Sequence, residues 1–124
     1  MGLPKVNRLK ERRDFQLICQ SGIRRYSPLM TLRAIKVQKA PLEQKSLSPT
    51  RLGISVSLKV SKKAVNRNRI KRLIRVAFRE LLPRIAPGWK ILLIVRQEAV
   101  GCKYERFLRE LKQLLLEAGI IHGH

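Results

Sequence analysis

A chain of 124 residues with 44% hydrophobic side chains is one domain's worth of sequence with enough apolar material for a core, which excludes a disordered tail. Twenty-eight Lys and Arg against eight Asp and Glu leave a formal charge of +20, a self-repulsion that implies a polyanionic partner. The longest pure apolar run, residues 91–95, is too short for a membrane span or a signal peptide, and Cys19 and Cys102 show no disulfide or zinc spacing, so the expected location is a reducing cytoplasm without membrane contact.

In chain order, residues 11–20 are the first periodic segment: Phe15, Ile18 and Cys19 stand at i, i+3 and i+4, which predicts a short helix. Gly22 follows where a helix end accommodates a left-handed residue. Pro28 opens residues 29–37, a run free of Gly and Asp that predicts a strand. Residues 38–50, with Pro41 and Pro49 among Gln and Ser, predict a loop. Over residues 51–57, Leu52, Ile54 and Val56 face one way while Arg51, Gly53, Ser55 and Ser57 face the other, a strand with one core face and one small polar face.

After a basic linker, residues 58–63, a helix over residues 64–82 places Ile70, Leu73, Ile74, Ala77, Phe78 and Leu81 on one stripe and stops at Pro83. Pro87 and Gly88 predict a turn, and residues 89–96, apolar on both faces, a central strand. The last helix, residues 102–118, aligns Tyr104, Phe107, Leu108, Leu111, Leu114 and Leu115, with Gly119 at its end. The expected fold is a single α/β domain over residues 1–124, an α-β sandwich in the order helix, strand, strand, helix, strand, helix. Its ordered core spans about residues 7–118, and residues 119–124 form a flexible tail.

The charge is concentrated. Residues 44–79 hold eleven basic and no acidic side chains, against ten and three before them and seven and five after. On the central helix Arg67, Lys71, Arg75 and Arg79 stand at successive i+4 steps, with Asn68, Arg72, Arg75 and Arg79 in a second row. Each like-charge pair at that spacing costs about 0.2–0.5 kcal/mol in an isolated helix. A solvated helix face normally mixes Glu with Lys, so this face suits a phosphate backbone, continued along the linker by Lys59, Lys62 and Lys63.

Two residues and one strand face each divide between two roles. Asn68 is either an N-terminal capping amide or a hydrogen-bond partner for a base edge or a ribose hydroxyl. Phe15 is either core or a face on which an unpaired base stacks. The Gly53, Ser55, Ser57 face is either an ordinary solvated strand or the floor of a shallow groove that takes a single strand beside the basic helix. Catalytic chemistry is not written in the chain: the carboxylates scatter over the first helix, the last helix and the connections, and His122 and His124 stand in the tail. No catalytic or metal-ligating residue is expected.

The segment Arg67-Asn68-Arg69-Ile70-Lys71-Arg72-Leu73-Ile74-Arg75 resembles the hallmark of the protein subunit family of bacterial-type ribonuclease P, an Arg-Asn-Arg helix continuing as x-Lys-Arg-x-x-Arg. Asn7-Arg8-Leu9 followed by Asp14-Phe15, and Gly53-Ile54-Ser55-Val56-Ser57 before the linker, are similar to the family's other signatures, so that the likeness covers about residues 7–118. The resemblance implies a ribonucleoprotein hydrolase of tRNA processing, in which a catalytic RNA with bound Mg²⁺ removes the 5′ leader of precursor tRNA and the protein assists. It implies that Arg67, Asn68, Arg69, Lys71, Arg72 and Arg75 face the RNA subunit, with the linker lysines beside them. The leader would lie at Phe15, Ser55 and Ser57, in the cleft between the first helix and the sheet. It further implies a left-handed crossover around the basic helix, Mg²⁺ held mainly by the RNA, and no obligate protein partner.

Where many members carry further aromatics, this chain has Cys19 one turn after Phe15, and Met30, Leu32 and Arg33 in the first predicted strand, so leader stacking rests on Phe15 with fewer partners. A structural RNA-binding protein such as a ribosomal one explains the charge equally well, and a third class, an architectural protein of duplex DNA, would bind DNA comparably.

Overall fold

A strand that is apolar on both faces has to be covered on both, and this requirement organises the molecule. The computed structural model describes residues 3–36 and 49–121. Its elements are α1 (Arg12–Ser21), β1 (Ile23–Tyr26), β2 (Met30–Lys36), β3 (Arg51–Ser55), α2 (Ala64–Leu81), β4 (Trp89–Val95) and α3 (Tyr104–Glu117). The strands form one sheet in the order β1-β2-β4-β3, with β4 inside as its composition predicts. β1 and β4 run antiparallel to β2, whereas β3 is parallel to β4, so α2 is the crossover between two parallel neighbours.

Alternation along the strands sends two sets of side chains to opposite faces. Leu32, Ala34, Leu52, Ile91 and Leu93 meet Ile70, Ile74 and Phe78 of α2 and Phe107, Leu111 and Leu114 of α3 in the main core. On the other face Leu92, with Ile35 and Ile94, packs under Ile18 and Phe15 of α1 and Leu9. No helix among the described residues is long and apolar enough to cross a membrane.

The structure corrects the expected architecture in several places. It adds β1, so three strands rather than two precede α2. The sequence Ile-Arg-Arg-Tyr gives no apolar alternation; Ile23 packs on the core while Arg25 lays its stem on the same side and donates from Nε to the Glu117 carbonyl. Gly22 is extended (φ −73°, ψ 155°), not left-handed. Glycine is needed there because a Cβ would stand 2.6 Å from the Ile18 carbonyl oxygen and 2.9 Å from that of Ala34.

The ordered core is also longer than expected. Leu3, Ile120 and Ile121 are buried in it, and Ile121 bridges to Ile85. Residues 120 and 121 of the predicted tail therefore belong to the core; residues 122–124 lie outside the described residues, as do Val37 and residues 38–48 of the predicted loop. The strand predicted to residue 57 ends at Ser55, and the last helix begins at Tyr104.

One buried carboxylate fastens the sheet to α3. Glu110 accepts from the Leu29 N–H at 3.0 Å and from Arg106 Nε at 2.9 Å. Burial by itself would raise its pKa, but the hydrogen bonds from Ser27, the Leu29 N–H and Arg106 outweigh that and hold the carboxyl below the usual carboxylate range. A depressed folded-state pKa contributes stability that is complete above the unfolded value and is lost as pH falls through the folded one. Thermal melts followed from neutral pH down through the carboxylate range should show the wild type losing stability, and Glu110→Gln, destabilised at neutral pH, should lose less.

Candidate nucleic-acid interface

The basic surface begins where α2 begins. Lys63 occupies the N-cap position in extended conformation without a side-chain cap, and the first turn contains no acidic residue. The positive end of the helix dipole therefore coincides with Lys62, Lys63 and Arg67, which makes this end strongly attractive to anions. Ser61 shapes the approach: its Oγ accepts from the Lys63 N–H at 3.2 Å and from Asn66 Nδ2 at 3.1 Å, and its carbonyl accepts from Arg67 Nη1 at 2.9 Å. Lys59, Lys62 and Lys63 are all exposed, and the Lys59 carbonyl accepts from Gln97 Nε2 at 2.7 Å.

Of the six predicted residues of α2, Asn68, Arg69, Arg72 and Arg75 lie away from the buried stripe, Lys71 flanks it, and Arg67 stands one turn before Ile70 on the stripe's own side. Asn68 and Arg72 are exposed, while Arg67, Arg69, Lys71 and Arg75 are half-buried. Arg69 donates from Nη1 to the Cys102 carbonyl at 3.1 Å and so ties α2 to the segment before α3. Asn68 stands in the second turn, beyond the cap at Lys63, which removes the capping alternative. No ion pair among the described residues engages a cation of α2. Its one carboxylate, Glu80, accepts from the Tyr104 hydroxyl, and burial together with this bond pushes the Tyr104 pKa up to about 12.

The predicted leader residues lie across the sheet from this helix. α1 crosses the opposite face, pinned by an ion pair from Lys90 Nζ to Asp14 Oδ1 at 2.6 Å and by Arg33 Nη1 donating to the Cys19 carbonyl at 3.3 Å. Phe15 is half-buried and covers Gly53 so closely that a Cβ there would lie 2.7 Å from the ring. It thus packs against the small core of Leu9, Ile18 and Leu92 and is still partly exposed to solvent.

Strand register places Tyr26, Thr31, Ile94 and Ser55 in one row on this face, with Ser55 and the following Ser57 exposed. The groove and the basic helix are therefore on opposite faces, joined by residues 56–63 where β3 runs out of the sheet, rather than side by side as the sequence suggested. At the other end of the sheet a cleft of about 280 Å³ is lined by Glu11, Arg13, Asp14, Arg51, Trp89 and Lys90.

Sequence patterning alone missed Ser61 and Asn66, which build the entrance to α2, and the Asp14–Lys90 pair, whose partners are distant in sequence. Ser61 two residues before the cap could have been found, since a hydroxyl returning to a nearby N–H is a local turn device. Among the described residues no three His, Cys, Asp or Glu side chains converge to hold a metal ion.

This arrangement is shared with known proteins. Residues 3–119 match the model of the family described as Ribonuclease P. The chain is 53% identical to the ribonuclease P protein component of Microcystis aeruginosa, covering all of both chains, and 52% identical to that of Rippkaea orientalis, covering all of this chain and 95% of the other. The RNase P protein of Staphylococcus aureus superposes with a TM-score of 0.78 at 30% identity over 95% of this chain and all of that one. That of Thermotoga maritima gives 0.65 at 30% identity over 94% and 98%. With the family's match running from the first described residue almost to the last, the chain belongs to the bacterial ribonuclease P protein family, the protein component that works with an RNA subunit in an endoribonuclease.

Proposed function

We propose that the exposed face of α2 and its linker dock on the RNA subunit, while the groove between α1 and the sheet receives the single-stranded 5′ leader of precursor tRNA. The observation that carries this is the row of cations on α2, which no ion pair among the described residues engages while Asp14, Glu80 and Glu110 have other partners. Such a row is relieved by a phosphate backbone. The groove adds a shape that accepts one strand, polar at Ser55 and Ser57 and aromatic at Phe15.

One rigid domain holding both the RNA subunit and the leader aligns the scissile bond without either partner having to find the other, the entropic part of catalysis. On this proposal Mg²⁺ stays with the RNA, and the protein binds and aligns. The proposal needs no second protein and places the complex in the cytoplasm.

Reconstitution of the protein with its RNA subunit and precursor tRNA tests both surfaces. Arg72→Ala, which removes an exposed cation without touching the fold, should weaken RNA-subunit affinity and lower the slope of log K against log salt by about 0.7–0.9. An unchanged slope would remove α2 from the interface. Phe15→Ala should leave RNA-subunit affinity intact and weaken binding of long-leader precursor by about 1–3 kcal/mol, roughly 5- to 150-fold. A loss independent of leader length would move the leader elsewhere.

A further inference from the structure

We infer that β1 carries an additional nucleotide subsite, in which Arg24 and Arg33 hold a phosphate and Tyr26 stacks on the attached base; it rests on the leader-groove proposal above and extends that groove to the far edge of the sheet. Register sets Arg24 directly opposite Arg33 and Tyr26 opposite Thr31. Arg33 in turn pairs with Leu92 and Thr31 with Ile94, both of the α1-side core, so all four β1 and β2 residues face the groove.

Like charges directly opposite one another on neighbouring strands repel, and no ion pair among the described residues relieves this pair. The buried α1 carboxylate over that face, Asp14, is engaged by Lys90 one row away. Arg33 gives one amino group to the Cys19 carbonyl, and its Nε is buried with no hydrogen-bond partner. A guanidinium left with an unused buried donor beside a second, exposed guanidinium is suited to an anion between them.

Tyr26 supplies what a simple anion site would not need. It is 61% exposed, the most exposed aromatic of the described residues, on the strand position next to Arg24 on the same face. An aromatic platform flanked by cations at the end of an open groove is the chemistry of single-stranded nucleic acid. The row from Ser55 through Ile94 and Thr31 to Tyr26 spans three strand spacings, about 14 Å. A strand entering beside the linker and crossing the sheet reaches Tyr26 only when it is long enough, so the subsite reads leader length and favours the more distal nucleotides.

The test is a set of precursor tRNAs whose leaders grow one nucleotide at a time, bound to holoenzyme reconstituted with wild type, Phe15→Ala, Tyr26→Ala, Tyr26→Phe or Arg24→Ala, each shown by thermal melt to be folded. Tyr26→Ala should match wild type on short leaders and lose about 5-fold or more in affinity once the leader crosses the sheet. Tyr26→Phe should keep that affinity, and Arg24→Ala should lower the salt slope for long leaders only. The subsite is overturned if Tyr26→Ala equals wild type at every length, if it weakens all lengths or RNA-subunit assembly alike, or if Tyr26→Phe loses as much as Ala. Phe15→Ala separates the two claims: a length-dependent loss there with none at Tyr26 ends the subsite alone, and no length dependence at either residue ends the groove proposal as well.

Discussion

Burial of one side of α2 is the condition for everything displayed on its other side. Ile70, Ile74, Ala77, Phe78 and Leu81 are sealed against the sheet and α3. A single buried Ile or Phe is worth about 1.5–3 kcal/mol, whereas the like-charge pairs along the exposed side cost about 0.2–0.5 kcal/mol each. The packing therefore exceeds the repulsion several times over. A helix that lacks a cap and any acid in its first turn would be a poor helix alone; here tertiary contact holds it and keeps its cations in register.

The sheet divides the work between its faces. One is committed to the main core, and the other is only partly roofed by α1, whose position is set by the Asp14–Lys90 ion pair and by the absence of side chains at Gly22 and Gly53. Those two glycines allow α1 to approach the sheet closely, while Ser55 and Tyr26 at the two ends of the neighbouring row stay exposed. The linker ordered by Ser61 then connects the uncovered face to the basic helix at one end of the sheet. A ribonuclease P protein of this shape holds the basic helix and the open groove at a fixed separation, which is what the proposed binding of two RNAs requires.

Much of this was legible in the sequence, for reasons that are local. The α2 stripe and its cation rows follow from helical periodicity, and the double-sided apolarity of Trp89–Val95 marks the central strand. β1 was not legible because an edge strand of Ile-Arg-Arg-Tyr buries an arginine stem in place of a second apolar residue. Gly22 was assigned a left-handed role because a glycine after a helix usually has one; only tertiary structure shows the Ala34 carbonyl beside it. The ends of the core were set too narrowly because Leu3, Ile120 and Ile121 are short apolar segments without a period. Of the site, the residue types on α2 could be read, but not that Arg67 and Arg69 each bond a backbone carbonyl, nor that groove and helix occupy opposite faces.

The central claim is that an uncapped, unpaired basic helix end is completed by the RNA subunit. Amide hydrogen exchange of the protein, free and bound to that RNA, tests it most directly, since an uncapped first turn frays and exchanges readily. The account predicts that binding slows exchange most strongly across the linker and the first two turns of α2, residues 58–71, with little change along α3. Protection centred on α3 or on the groove face, with residues 58–71 exchanging as in the free protein, would contradict it.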